Sequence, residues 1–221
     1  MKMGLAKLST KIHRLSNALE YIENLSSGRS VLNVGAAGGV SGYLPANKEN
    51  WLHERLKNCA GGVLGIDIDE AAINYAKKNG YDINYANCET MNLDKKFDVI
   101  ILSDVIEHMN APVIAVENLF HHLNDEGFLV ITTPNATAGN IIIRSILNKK
   151  INILADHVSV YYPENFQNIA ERLNVQIKSF FVFDNIDRRN IRVFIKSIIF
   201  KVMTIVSPRL GSSLLIVMQN K

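Results

Sequence analysis

An apolar run that passes straight into small residues, "VLNVGAAGGVSG" over Val31–Gly42, opens a series in which strand-like and helix-like segments alternate. That alternation constrains the fold more than any other feature. "SVLNVG" and "GGVLGIDID" read as two buried strands, and "NKENWLHERLKNCA" between them has helical spacing in Trp51, Leu52, Leu56 and Cys59, with the helix expected to start near Asn47. "DEAAINYAKKNG" reads as a helix closed by Gly80, as glycine closes helices, and a third strand follows at "DINYAN". "FDVIILSD" is almost wholly apolar and rich in β-branched residues, the pattern of a strand buried on both faces. "APVIAVENLFHHLNDEG" reads as a helix ending near Gly127, and "FLVITTPN" as a fifth strand. The order predicts an α/β, doubly wound, mostly parallel sheet with right-handed crossovers and helices on both faces.

The flanks are less regular. Leu5, Leu8, Ile12, Leu15, Leu19 and Ile22 recur at intervals of three and four, which predicts an amphipathic N-terminal helix within residues 1–27, broken at "SSGRS". Late in the chain "ENFQNIAERLNV" reads as a helix, and "QIKSFFVFD" and "SSLLIVMQ" as strands with no ordinary crossover between them, so an antiparallel addition at one sheet edge is expected. Two apolar, basic inserts remain, near 137–156 and 187–208. In the second, Arg188, Arg189, Arg192 and Lys196 share one helical face while Lys201 points away, a pattern open to a core-packing helix, a dimer helix or contact with an anionic membrane surface.

With 221 residues, 48% of them apolar, the chain can bury one sizeable core, and a single domain over 1–221 is expected. A net charge of +3 requires no nucleic-acid partner. Cys59 and Cys88 make neither a disulfide framework nor a zinc spacing, which points to a reducing, cytoplasmic setting. No stretch reaches the roughly 18 uncharged apolar residues that span a bilayer, so at most contact with the inner face of the membrane is expected.

The small-residue loop suits several ligands. A Walker A loop needs a lysine on the phosphates, and none follows until Lys48. A dinucleotide fingerprint counted from Gly35 puts Ala37 and Val40 at its second and third glycine positions, and Asp67 lies later than its acidic residue should. "VLNVGAAGG" instead resembles the first motif of the class I S-adenosylmethionine-dependent methyltransferases, a Rossmann-like family. "VLGIDID", "NYANCETMNL", "FDVIILSDVIEHMNAP" and "HLNDEGFLVITTPN" resemble its later motifs, in the family's order across Val31–Asn135. The resemblance implies an S-adenosylmethionine cofactor. It also implies a cofactor site made of Asn33, Gly35, Ala36, Ala37 and Gly39 in the first loop, Asp67 on both ribose hydroxyls, Ile68 against adenine, Asn87 or the Cys88 amide at its polar edge, and Ser103 and Asp104 at the fourth strand end. Asn33 stands where the family usually has Asp or Glu, so a charge that orients the loop or the cofactor's ammonium is replaced by an amide. Asp69, and less so Asp67, has the alternative role of capping the following helix.

A sulfonium methyl is already activated, so transfer needs an acceptor held in line, and an oxygen acceptor needs a base. His108, just after the fourth strand, and His157, in "ADHVSVYYPENF", are the candidate catalytic bases. Asp104, Glu107 and His108 would share one face of a helical turn and could hold a divalent cation, as the similar segment implies for ubiquinone-pathway O-methyltransferases, although no metal is expected here. Tyr161 and Tyr162 are candidates to stack on the acceptor, or one is core and Pro163 starts a helix; His121 and His122 are given no function. The expected activity is O-methylation of a small-molecule, glycan or lipid-linked acceptor. A nicotinamide-dependent oxidoreductase and a non-catalytic cofactor-binding module are the alternatives. Nucleic-acid methylation is disfavoured because "SDVI" stands where base methylators carry an NPPY-like tetrapeptide.

Overall fold

In the computed structural model, residues 7–151, 153–184, 204, 205 and 207–221 are described. Their strands are β1 (Ile12–Arg14), β2 (Ser30–Val34), β3 (Gly62–Asp67), β4 (Ile83–Tyr85), β5 (Phe97–Ser103), β6 (Leu123–Pro134), β7 (Val175–Phe183) and β8 (Ser213–Asn220). They form one sheet in the order β1-β7-β8-β6-β5-β2-β3-β4. Every pairing is parallel except those of β8, which runs antiparallel to both β6 and β7. Strand order reverses between β2 and β5, and at such a point the carboxyl ends of the strands leave a crevice.

Side chains alternate across the sheet, as the two-residue strand period requires. Val31, Val99, Ile101, Val130 and Leu215 pack on one face with Ile22 of α1 (Ala18–Ser26) and Leu56 of α2 (Leu52–Cys59). Leu32, Ile100, Leu102, Leu129 and Ile131 pack on the other with Leu119 of α4 (Pro112–His121) and Phe166 of α6 (Pro163–Arg172). Ile73 and Ala76 of α3 (Glu70–Lys78) join Ile83 and the buried residues of the first loop in a smaller cluster. The doubly wound, mostly parallel sheet with helices on both faces is the architecture expected.

Three local expectations are corrected. Leu5 lies outside the described residues, and the helical spacing over Leu8–Ile22 is interrupted by β1, whose Ile12 pairs with Phe180 of β7; among the described residues the helix starts at Ala18, where Asn17 Oδ1 accepts from Glu20 N at 3.2 Å. The pattern misleads because an edge strand with one inward side chain contributes a single apolar residue that fits either period. Secondly, α4 stops at His121 and not near Gly127. His122 ends it with Nδ1 at 2.8 Å from Asn118 O and Nε2 accepting from Leu93 N at 3.1 Å, so its ring is a structural clamp. Thirdly, α2 begins at Leu52, and a 3-10 turn over Lys48–Asn50 accounts for the helical look near Asn47. The antiparallel addition at one end of the sheet is as expected, with β8 inserted between β6 and β7 and β1 forming the edge itself. The first insert carries α5 (Gly139–Ile146). The second falls largely on residues 185–203 and 206, outside those described, and its basic helical face with them. Among the described residues, no helix is long and apolar enough to cross a membrane.

Candidate active site

A cleft of about 910 Å³ opens at the carboxyl ends of β2, β3 and β5. Its floor is the first loop. Gly35 has φ +73°, and a Cβ there would overlap Val105 Cγ2, so the turn that brings the loop over β5 requires glycine. Ala36 N donates to Ile66 O at 3.0 Å, and Ala36 O accepts from the Trp51 indole at 3.1 Å. The loop is thus pinned to β3 on one side and to the start of α2 on the other.

Asp67 is the central anchor. One carboxylate oxygen accepts from Ala37 N at 2.8 Å, and the other from Ile68 N at 2.7 Å and Asp69 N at 3.0 Å. A carboxylate has about four lone-pair positions, so three are taken by backbone and one remains on the oxygen shared with Ala37. Asp69, in contrast, is the N-cap of α3, accepting from Ala72 N at 3.0 Å. The capping alternative therefore belongs to Asp69 and not to Asp67.

The cleft lining brings together Asn33, Gly35, Ala36, Gly39, Asp67, Ile68, Ser103, Asp104, His108 and His157. Ile68 is 61% exposed, an uncovered apolar surface in a cleft wall. Three of the expected cofactor residues lie off this lining. Ala37 is fully buried in the cluster beneath the loop, and its N–H is spent on Asp67. Asn87 turns its Oδ1 to Glu89 N at 2.8 Å. Cys88 is buried, which pushes its thiol up to about 11, and its carbonyl accepts from Asn118 at 3.0 Å.

At the end of β5 the backbone turns sharply, with Asp104 at φ +51° and its N–H 3.0 Å from Thr132 O. Desolvation by the cleft walls pushes the Asp104 carboxyl up, against the Thr132 hydroxyl and the nearby His157 and His108. Ile106–His108 then form a 3-10 turn, so Asp104, Glu107 and His108 do not share one helical face as expected. Glu107 points inward and is 1% exposed; Oε2 accepts from Thr133 Oγ1 at 2.9 Å, while Oε1 has no partner. Burial pushes its carboxyl up to about 7.

His157 reaches this corner from a distant segment. Glu107 O accepts from Val158 N at 3.0 Å and Ser159 N at 3.1 Å, fastening the chain that returns from the first insert. The His108 and His157 rings meet edge to face at 4.6 Å, and His108 Nδ1 lies 3.3 Å from Asp156 Oδ2. Asp156 escaped the sequence reading, although its place next to His157 was a signal. One donor atom each from Glu107, His108 and His157 lie within 4.8 Å of one another, a set able to hold a divalent cation, with His157 in the place expected of Asp104. Tyr161 is core, its hydroxyl donating to Ile106 O at 3.3 Å, and Tyr162 precedes the Pro163 start of α6.

The family model described as "Methyltransferase domain" matches residues 5–179. A ubiquinone biosynthesis O-methyltransferase of Rickettsia prowazekii is 30% identical over 182 residues, covering 76% of this chain and 69% of its own. A SAM-dependent methyltransferase from Archaeoglobus fulgidus superposes with TM-score 0.57 at 18% identity, over 91% of this chain and 90% of its own. The [4+2]-cyclase SpnF superposes with TM-score 0.56 at 10% identity, over 91% of this chain and 80% of its own, so this architecture also serves other chemistry.

Proposed function

Because the chain belongs to the methyltransferase-domain family, with S-adenosylmethionine as cofactor, we propose that it methylates an oxygen of a small, largely apolar acceptor, with His108 and His157 on the acceptor side. The nicotinamide reading has no support beside that family. Asp67 has one free lone-pair position, enough to receive a ribose hydroxyl while its other bonds hold the loop, and exposed Ile68 offers adenine an apolar face.

The observation that carries the oxygen chemistry is the histidine pair with Asp156. With His108 Nδ1 3.3 Å from Asp156 Oδ2, a neutral ring that carries its proton on Nδ1, towards the carboxylate, keeps its Nε2 lone pair free, the tautomer a base requires. Overall, the acceptor oxygen forms its bond to the methyl carbon as the bond to sulfur breaks, S-adenosylhomocysteine leaves, and the acceptor proton passes through histidine to water. The unpartnered Glu107 Oε1 favours a second reading, in which Glu107, His108 and His157 hold a divalent cation. Such a cation would lower the pKa of a bound hydroxyl.

An apolar acceptor tail, or a lipid-linked acceptor at a membrane surface, has support beside the cleft. Ile146, Leu147, Ile153 and Leu154 are 77, 56, 52 and 66% exposed, and Leu154 also lines the cleft. No acidic residue occurs between 139 and 155, where Lys149 and Lys150 are exposed. The test is methyl transfer from labelled S-adenosylmethionine to catechols with and without a long alkyl chain. Turnover that rises with the chain and with anionic vesicles supports the reading, and transfer to amines but no phenol would refute it.

A further inference from the structure

Beneath the first loop lies a polar pair that the proposed chemistry does not use. Asn33 sits on β2 opposite Gly65 of β3, and His53 stands in the first turn of α2. A Cβ on Gly65 would come within 2.7 Å of His53 Cε1, so the glycine is what lets the ring lie across β3 and reach β2. Asn33 Nδ2 is then 3.3 Å from His53 Nδ1, with the residues 3% and 2% exposed. An amide nitrogen only donates, so Nδ1 must be the accepting, unprotonated nitrogen. Burial, helped by Lys57 and opposed by Glu54, pushes the His53 pKa down to about 4, which keeps the ring neutral. Among the described residues Asn33 Oδ1 has no hydrogen-bond partner, and Asn33 lines the cleft.

The methionine arm of the cofactor ends in an ammonium, which only donates, and a carboxylate, which only accepts. A neutral amide can meet either, and its orientation decides which. We propose that His53 is a positioning residue: by accepting from Asn33 Nδ2 it turns Asn33 Oδ1 into the cleft, where that oxygen accepts a hydrogen bond from the α-ammonium of S-adenosylmethionine. An amide held this way does part of the work of an acidic side chain without burying a charge against the ring. The reading rests on Asp67 taking the ribose, which lays the methionine arm over the Gly35–Gly39 loop beside Asn33.

The test uses binding, not turnover, with three probes: S-adenosylhomocysteine, its analogue lacking the α-amine, and 5′-methylthioadenosine, which lacks the whole amino acid. His53→Leu removes the acceptor and keeps an apolar filling. It should weaken S-adenosylhomocysteine about tenfold and leave the other two within about twofold, the scale of one hydrogen bond. Adding Asn33→Asp to His53→Leu should restore binding, because both carboxylate oxygens accept and need no orienting. Equal losses for all three probes would reduce His53 to a packing role, and an unchanged or unrescued affinity for S-adenosylhomocysteine would overturn the proposal. The Asp67 reading fails separately, through unaltered 5′-methylthioadenosine binding in Asp67→Asn.

Discussion

Replacing Asp67 by Asn separates the two duties of that carboxylate. The oxygen that accepts from Ile68 N and Asp69 N survives in the amide, whereas the other position becomes an NH₂ facing Ala37 N at 2.8 Å, donor against donor. A buried backbone N–H left without an acceptor costs about 1–3 kcal/mol. A chain of this length loses about 2–4 °C in Tm per kcal/mol, so the variant should melt about 2–12 °C lower. Cofactor binding loses a bond to a charged acceptor, about 1.5–3 kcal/mol or roughly 10- to 150-fold in Kd. Differential scanning calorimetry without ligand measures the first effect, and titration calorimetry with S-adenosylhomocysteine the second. An unchanged Tm would refute the idea that this carboxylate anchors the loop. A lowered Tm with unchanged affinity, measured well below the melting transition, would refute its contact with the ribose.

His108→Asn and His157→Asn, tested singly, should lower turnover by about 10²- to 10⁴-fold for whichever histidine is the base, with Kd for S-adenosylmethionine nearly unchanged; full turnover in both would remove the general-base step. Chelator followed by graded Mg²⁺ or Mn²⁺ tests the Glu107, His108 and His157 donor set, and the metal reading predicts lost and regained activity in the wild type together with a lost metal response in Glu107→Gln. The share of stability that depends on a neutral His53 should fall on acidification: His53 has its pKa lowered to about 4 when folded, so between about pH 6.5 and 4 the unfolded chain takes up a proton there that the folded chain does not, at a cost of up to about 3 kcal/mol, while Glu107, raised to about 7, works in the opposite direction over an overlapping range. Urea midpoints across that window should slope less in His53→Leu than in the wild type, and parallel slopes would refute the assignment.

The central strands were legible because they are buried on both faces, so Val31, Leu32 and the run Val99–Leu102 are apolar whichever way they point. The position of Asp67, Ile68, Asp104 and His108 was legible for a related reason: each lies at the carboxyl end of a central strand or shortly after it, and all four line the crevice. Pairings decided by distant partners were hidden. Nothing in Ile12–Arg14 announces β7 as its neighbour, and nothing around His157 announces that Glu107 O will fasten the return of the insert. The burial of Ala37 beneath the loop was hidden because smallness in a sequence does not distinguish a residue that leaves room for a ligand from one that fills a tight core. His53 was overlooked because a histidine on an amphipathic helix looks solvent-facing until Gly65 opens the space for its ring.

The placement of β8 has a consequence for how the protein is made. β6 and β7 leave the ribosome before the strand that separates them, so neither can complete its ladder on that side until Ser213–Asn220 follows. Two unfinished sheet edges therefore wait in the nascent chain, each rich in Val, Ile and Phe and open to pairing with one another or with a neighbouring chain. Joining them closes contacts between segments about 85 residues apart, from Leu129↔Met218 onward, the kind of long-range pairing that slows folding. The half of the sheet that bears the first loop and Asp67 has no such wait, since β2, β3, β4 and β5 are all synthesised earlier. Cofactor present during synthesis would meet its floor before the corner with His157 has been built, and chaperone demand should concentrate on the last stretch of the chain.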